Sequence, residues 1–390
     1  MKTALITHHR IPNFGANLQA LATHSLLRQS SDTVVLNYAP EKLELRYQQI
    51  CNDKQIQAHL QFAEEFLHLS PILRNEDDIY SYCKSEKIDC IISGSDSIFR
   101  LTKELNTHEG GFPNPYWLNW AKKRKDYQPI TGFISGSATG SSYYSFPRHL
   151  KESIVNELEK ADYISVRDKW TRMMFAFISN GRIRPRVTPD PVFILNESVS
   201  FPEIYTSEAH GMKGSYILYS ARNGRVSNDW LRKFVSLCHN KGYKVFGLCL
   251  PESIVEYNGF DKNIGHPLSP AEWYSWIANA AGVVGERFHL AVSAIANNVP
   301  LVSIDHYRKE GLKNKFTFIN FPATSKVYSL LKQAKIASYC IHYRELKRLS
   351  PEMTLKLLTT FPRSDLESFS GMCNDEFKGA VQMILSSKKS

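Results

Sequence analysis

Short, continuously apolar runs recur along the chain, each followed by a longer stretch with helical spacing. Thr3–Thr7, Thr33–Leu36, Ile88–Ser93, Pro129–Ser135 and Asp162–Val166 read as buried strands. Ala16–Gln29 repeats its apolar residues on one helical face, and a further helix is expected from Asp168. Residues 40–85 are polar, with a helical bias but no settled period. Pro185, Pro189 and Pro191 then crowd one segment, and Asn196–Gly214 is polar without a clear period, which marks a domain boundary.

Beyond it the pattern restarts. Tyr216–Tyr219 and Tyr243–Leu248 read as strands around a helix at Asn228–His239. Ser269-Pro-Ala-Glu272 has the residues of a capping box with proline at the first helical position. Gly282–Val284 is a strand, Arg287–Asn297 a helix and Pro300–Ile304 a strand, with helical stretches at Pro351–Thr360 and Asp365–Leu385. Strand–helix alternation in two blocks predicts an α/β fold of two Rossmann-like domains facing across a cleft. The expected division is 1–200, 201–345 and a helical tail at 346–390.

Composition narrows the function classes. The 43% hydrophobic and 22% charged content is that of a globular chain in water. A net charge of +10 favours acidic partners: phosphate groups, anionic lipid or nucleic acid. The basic residues are scattered apart from Lys122–Lys125 and the Lys388-Lys389 tail, and no nucleic-acid module is present, so nucleic acid is not expected as a partner. The seven cysteines form no CxxC pair and no zinc-spaced cluster, so free thiols, no metal and a cytoplasmic setting are expected. The N-terminal Ala4-Leu-Ile6 runs straight into Thr-His-His-Arg10, which is no secretory core, and no apolar run reaches membrane-span length. Any membrane contact would be peripheral.

Candidate chemistry collects where strands hand over to helices, the edge at which open α/β sheets bind ligands. Arg287 and His289 stand two apart just past Gly282–Val284, at a helix start that favours anions; alternatively they are a satisfied surface pair. After the first strand, Asn13 or Gly15 caps the next helix, while Gly15 would also admit a ligand close to its backbone and Asn17 and Gln19 offer amides. Ser93-Gly-Ser-Asp-Ser97 puts Asp96 beside Ser95 at a strand end, either as a carboxylate facing the cleft or as a cap. Arg167 offers a planar fork to a carboxylate or phosphate, or a local pair with Asp168. Thr188-Pro-Asp-Pro-Val192 reads as a turn, with Asp190 structural.

Taken together, Asn13–Ala20, Gly94-Ser-Asp96, Ile164–Asp168, Asp190-Pro191 and Arg287-Phe-His289 resemble, in order and spacing over some 300 residues, the polysaccharide pyruvyl transferase family. The resemblance implies a GT-B-like fold with the acceptor on the N-terminal domain and the donor on the C-terminal one. It also implies transfer of the pyruvyl unit of phosphoenolpyruvate to sugar hydroxyls as a ketal. Arg167, Arg287, Phe288 and His289 would then bind phosphoenolpyruvate, with His289 the acid and Asp96 the base. Asn13, Gly15, Asn17 and Ser95 would line the cleft. No cofactor beyond the donor substrate is implied. The acceptor would be a sugar of a cell-surface polysaccharide, such as a capsule or exopolysaccharide, or its lipid-linked oligosaccharide precursor, met at the inner face of the membrane. The positive charge and basic tail would suit an anionic surface there. The sequence departs from the family at Leu290, where glycine is common and a narrower site floor is expected, and at Ser97-Ile-Phe99, where an amide and tryptophan often stand. Ser135–Gly140 matches the family's small-residue segment only loosely. Two other readings share the architecture: a GT-B glycosyltransferase using a nucleotide sugar, with Glu286 holding the ribose, and a non-catalytic glycan-binding relative.

Overall fold

The computed structural model describes residues 1–102, 110–123, 125–141, 143–305, 325–343, 345–346 and 349–387. Arg124 and the Lys388-Lys389 end of the basic tail lie outside these residues. The first half runs β1 (Lys2–Ile6), α1 (Phe14–Arg28), β2 (Asp32–Val35), α2 (Glu41–Ile50), α3 (Asp53–Phe66), α4 (Glu76–Ser85) and β3 (Cys90–Ser93). It continues with β4 (Ile130–Gly136), α5 (Arg148–Leu158), β5 (Tyr163–Val166), α6 (Lys169–Ile178) and β6 (Arg186–Val187). A 3-10 turn at Pro191–Ile194 and helices α7 (Leu195–Ser198) and α8 (Glu203–Gly211) lead out of it. The Asn196–Gly214 stretch is thus largely helical. Of α8 only Ala209 is buried, so it carries no apolar stripe for a sequence pattern to display.

The second half runs β7 (Tyr216–Ser220), α9 (Asn228–Asn240), β8 (Lys244–Leu248), β9 (Lys262–Ile264), α10 (Pro270–Ala278), β10 (Gly282–Gly285) and α11 (Phe288–Ala296). Then come β11 (Leu301–Asp305), α12 (Lys326–Gln333), β12 (Cys340–His342), α13 (Pro351–Thr359) and α14 (Arg363–Leu385). The capping box forms: Ser269 accepts from the helix backbone while Glu272 reaches back to the Ser269 amide at 2.8 Å.

Each half folds around a six-stranded parallel sheet, in the orders β2-β1-β3-β4-β5-β6 and β12-β11-β10-β7-β8-β9. Strand order reverses beside β1 in the first sheet and beside β7 in the second. Those two switch points open crevices at the carboxyl ends of β1 and β3, and of β7 and β10. The chain places its candidate residues there in both sheets.

One apolar core runs through both halves, from Leu5, Phe14 and Leu18 to Trp273, Leu290 and Phe377. Phe14 of α1 stacks on Trp273 of α10 with ring centroids 5.1 Å apart. Gln55 of α3 exchanges two hydrogen bonds with the Leu268 backbone, each 2.8 Å. Helix α11 is apolar nearly all round because it is enclosed by its own sheet, α1 and α14. The helical tail divides: α13 packs on α9 and β11, whereas α14 crosses back to β4, β5 and the Pro191–Ile194 turn. The apolar stripe of α14 (Leu366, Phe369, Cys373, Phe377, Val381, Ile384) is consumed in that contact. No helix among the described residues is long and apolar enough to cross a membrane.

Candidate functional site

The site grows from five loop starts that meet between the domains. Asn13 caps α1 by accepting from the Ala16 amide at 3.2 Å, which sets Gly15 in the first turn. The His289 ring lies directly on Gly15: a Cβ there would fall inside the Cγ and Nδ1 of the imidazole. His289 Nε2 faces the Asp190 carboxylate at 3.6 Å, an ion-pair contact longer than a hydrogen bond. Asp190 caps the Pro191–Ile194 turn through the Val192 amide and also receives Gln19 and, at 2.9 Å, Arg167. The turn predicted for Thr188–Val192 is present, but its aspartate also binds together groups from α1, β5 and α11.

Arg167 is 6% exposed and commits both terminal nitrogens, one to Asp190 and one to Asp96 at 3.3 Å. Its guanidinium stacks 4.9 Å above the Phe288 ring. It does not pair with Asp168, which caps α6 through Thr171 and accepts from Ser137 and Thr139. A donor anion would have to displace a carboxylate to take Arg167 as its clamp. Arg167 is therefore the hub that keeps two acids in register in the free protein, with the fork expected to take an anion occupied by the chain's own carboxylates.

Asp96 stands in the left-handed region at φ 70° and follows Ser95, which is fully buried with no protein partner for its Oγ. Burial alone would raise the Asp96 carboxyl. The charges of Arg167, Lys326, His289 and His8 outweigh it and hold the group well below the usual carboxylate range. Asp190 is likewise lowered against its burial by His289 and Arg167. Both acids are anions at neutral pH, which makes Asp96 a hydrogen-bond acceptor and a weak base. With His8, Asn13 and Arg100 it lines a cavity of about 240 Å³ at the first switch point. Asn17 does not reach that cavity. It is fully buried, donates to the His9 carbonyl at 2.6 Å and meets His59 Nδ1 at 2.6 Å.

At the second switch point Arg287 holds φ 95° and ψ 140°, an unusual backbone for a residue with a side chain. Its guanidinium pairs with Glu252 and lines a cavity of about 610 Å³ together with Arg222, Arg225, Glu286 and Lys326. Burial, then Arg222 and Arg225, depress Arg287, as expected of like charges crowded together; an anion arriving there relieves the repulsion. Glu286 is engaged by Arg225 through both carboxylate oxygens. Leu290 does not narrow the cleft. It is 3% exposed and turns into the core against Gly285, whose missing side chain makes the room.

The strained Arg287 backbone gives a stability test. Arg287→Gly should unfold at higher urea than Arg287→Ala, by about 1 kcal/mol, because glycine accepts positive φ without the Cβ penalty. Equal midpoints would show that the backbone is relaxed.

Sequence reasoning missed Lys326 and the Arg222/Arg225 pair, and took Asp190 for a turn residue. Lys326 begins α12 and donates across the domains to Ser97 Oγ at 3.2 Å. No local signal flags it. The arginines follow strand β7 by a few residues, which the switch-point rule alone would have picked out.

Compared with known proteins, a family model described as polysaccharide pyruvyl transferase matches residues 13–307. No curated protein matches the sequence. Among solved structures, the UDP-GlcNAc 2-epimerase from Neisseria meningitidis, bound to UDP-GlcNAc, is similar with TM-score 0.54 and 11% identity, covering 99% of each chain. The enzyme of the same name from Methanocaldococcus jannaschii gives TM-score 0.54 and 11% identity over 99% of each chain. At such identity these likenesses establish the fold alone: two Rossmann-like domains of the GT-B kind.

Proposed function

The chain belongs to the polysaccharide pyruvyl transferase family, and from that premise we propose that it moves the pyruvyl unit of phosphoenolpyruvate onto two hydroxyls of a sugar as a ketal. The acceptor in this reading is a sugar of a cell-surface polysaccharide or of its lipid-linked precursor. The observation that carries the reading is an acid–base group paired across the domain junction (His289 on Asp190), two residues along the chain from Arg287 of a crowded cationic pocket (Arg222, Arg225, Arg287). Phosphoenolpyruvate carries a carboxylate and a phosphate and so needs cations at two points.

His289, oriented through Nε2 by Asp190, keeps Nδ1 for the donor and supplies a proton to C3 of the enol. C2 becomes an oxocarbenium centre, and the first sugar hydroxyl adds to it and loses its proton. The C2–O bond to phosphate then breaks, the second hydroxyl adds and its proton departs. One diol and one phosphoenolpyruvate give one ketal and inorganic phosphate: of the two hydroxyl protons, one balances the C3 proton and the other leaves with phosphate. No step calls on a metal. Asp96 fits as the acceptor of the attacking hydroxyl's hydrogen bond. A weak base suffices, because a hydroxyl sheds its proton readily once bonded to a cationic carbon.

Calorimetric titration with phosphoenolpyruvate in phosphate-free buffer tests the donor. The wild-type protein should bind in the micromolar range, and Arg287→Ala should weaken binding about ten- to a hundredfold, the worth of a charged hydrogen bond. No heat with phosphoenolpyruvate, but heat with a nucleotide sugar, would move the assignment to glycosyl transfer. Against that alternative, Glu286, the acid that would hold a ribose, is already spent on Arg225.

A further inference from the structure

Lys326 occupies a position that no other cation shares among the described residues. It lines both the 610 Å³ arginine cavity and the narrower cavity between α12, α14 and Arg167. Its ammonium also reaches over to Ser97, which lines the 240 Å³ cavity of the first domain. Among the described residues only Phe288, the ring stacked under Arg167, is likewise common to the two cavities at the domain junction. The lysine thus stands where donor and acceptor spaces meet.

We propose that Lys326 is a donor-binding residue, the cation that takes the phosphate of phosphoenolpyruvate while Arg287 takes the carboxylate. Its bond to Ser97 holds the ammonium in place until that anion arrives. The assignment rests on the phosphoenolpyruvate reading above. It supplies the second positive point that Arg167, tied to two carboxylates, does not provide.

The surroundings make the charge on this lysine conditional. Desolvation pushes it down to about 8; Arg167 and Arg100 add to the fall, and Asp96 and Asp168 oppose it. Asp190 and Glu376 face the cavity toward α14, and Asp305, Glu286, Arg222 and Arg225 face the arginine cavity. A phosphate monoester completes its second ionisation near pH 6, so above pH 7 the donor keeps its charge while the lysine loses its own. The charged form is the one that binds. Affinity should therefore hold up to about pH 8 and fall as pH rises beyond it, approaching tenfold per unit.

The experiment is calorimetric titration of the full chain with phosphoenolpyruvate between pH 7 and 9.5, for wild type, Lys326→Arg and Lys326→Met. Wild type should lose affinity above pH 8. Lys326→Arg should bind within a few-fold of wild type at pH 7 and stay flat, since a guanidinium does not titrate in this range. Lys326→Met should bind about tenfold more weakly at pH 7. An arginine variant that falls with pH as wild type does, or a methionine variant with wild-type affinity at pH 7, overturns the proposal. Wild-type protein that binds no phosphoenolpyruvate at any pH overturns the donor reading itself, a separate outcome. The arginine variant preserves the cation and keeps the test decisive even if methionine disturbs folding.

Discussion

His289→Ala is expected to lower phosphate release from phosphoenolpyruvate, measured over a panel of sugar acceptors, by about 10²–10⁴-fold. The protein should stay folded, because the remaining partners of Asp190 survive: Arg167 at 2.9 Å, Gln19 and the Val192 amide. The expectation follows from geometry. The imidazole sits at the junction with the Asp190 carboxylate behind it and Arg287 of the arginine cavity two residues before it in the chain, and it is only 13% exposed. Asp96 cannot replace it as an acid, since Arg167 and its other neighbours hold that carboxyl ionised far below neutral pH. Asp190 is held down in the same way. Without the ring, protonation at carbon would fall to water. Turnover within a few-fold of wild type would remove His289 from the chemistry and leave it as a packing residue on α1.

Much of the fold was legible because its signals are local. Strands buried on both faces read as plain apolar runs, and the Ser269–Glu272 box and the Asn13 cap are short-range patterns that the chain satisfies as written. What escaped depends on distance in sequence. Asp190 looks like a turn residue beside two prolines, and its partners come from positions 19, 167 and 289, so only the folded chain shows it as a bridge. Lys326 is one lysine among many until the domains place it against Ser97. Leu290 was misread for a related reason. A position next to a site residue on a helix points about 100° away from it, and here that turns Leu290 into the core against Gly285. The Asn17 amide was legible as a polar group near the site, but not as one already occupied by His9 and His59.

Gly15→Ala is expected to act on His289 from the opposite domain. The added methyl would occupy the space of the imidazole Cγ and Nδ1, and these atoms cannot yield toward Asp190 without disturbing the Arg167 and Gln19 contacts. The ring, or helix α1, must move. Overpacking of this kind costs about 1–3 kcal/mol, and a displacement near 1 Å costs about 10² in rate. In the wild-type background Gly15→Ala should therefore lower both stability and turnover. In the His289→Gly background the obstacle is gone, since the Cβ at 2.6 Å from the added methyl leaves together with the ring. Alanine is the better helix former by about 1 kcal/mol, so the same substitution should now stabilise the protein in urea unfolding. The reversal of sign between the two backgrounds is the prediction, a coupling of about 2–4 kcal/mol between residues 274 positions apart. Equal destabilisation in both backgrounds would mean that the methyl strikes something other than His289. A neutral effect in both would mean that α1 and α11 do not approach this closely, and the His289–Asp190 pairing would lose its support along with that contact.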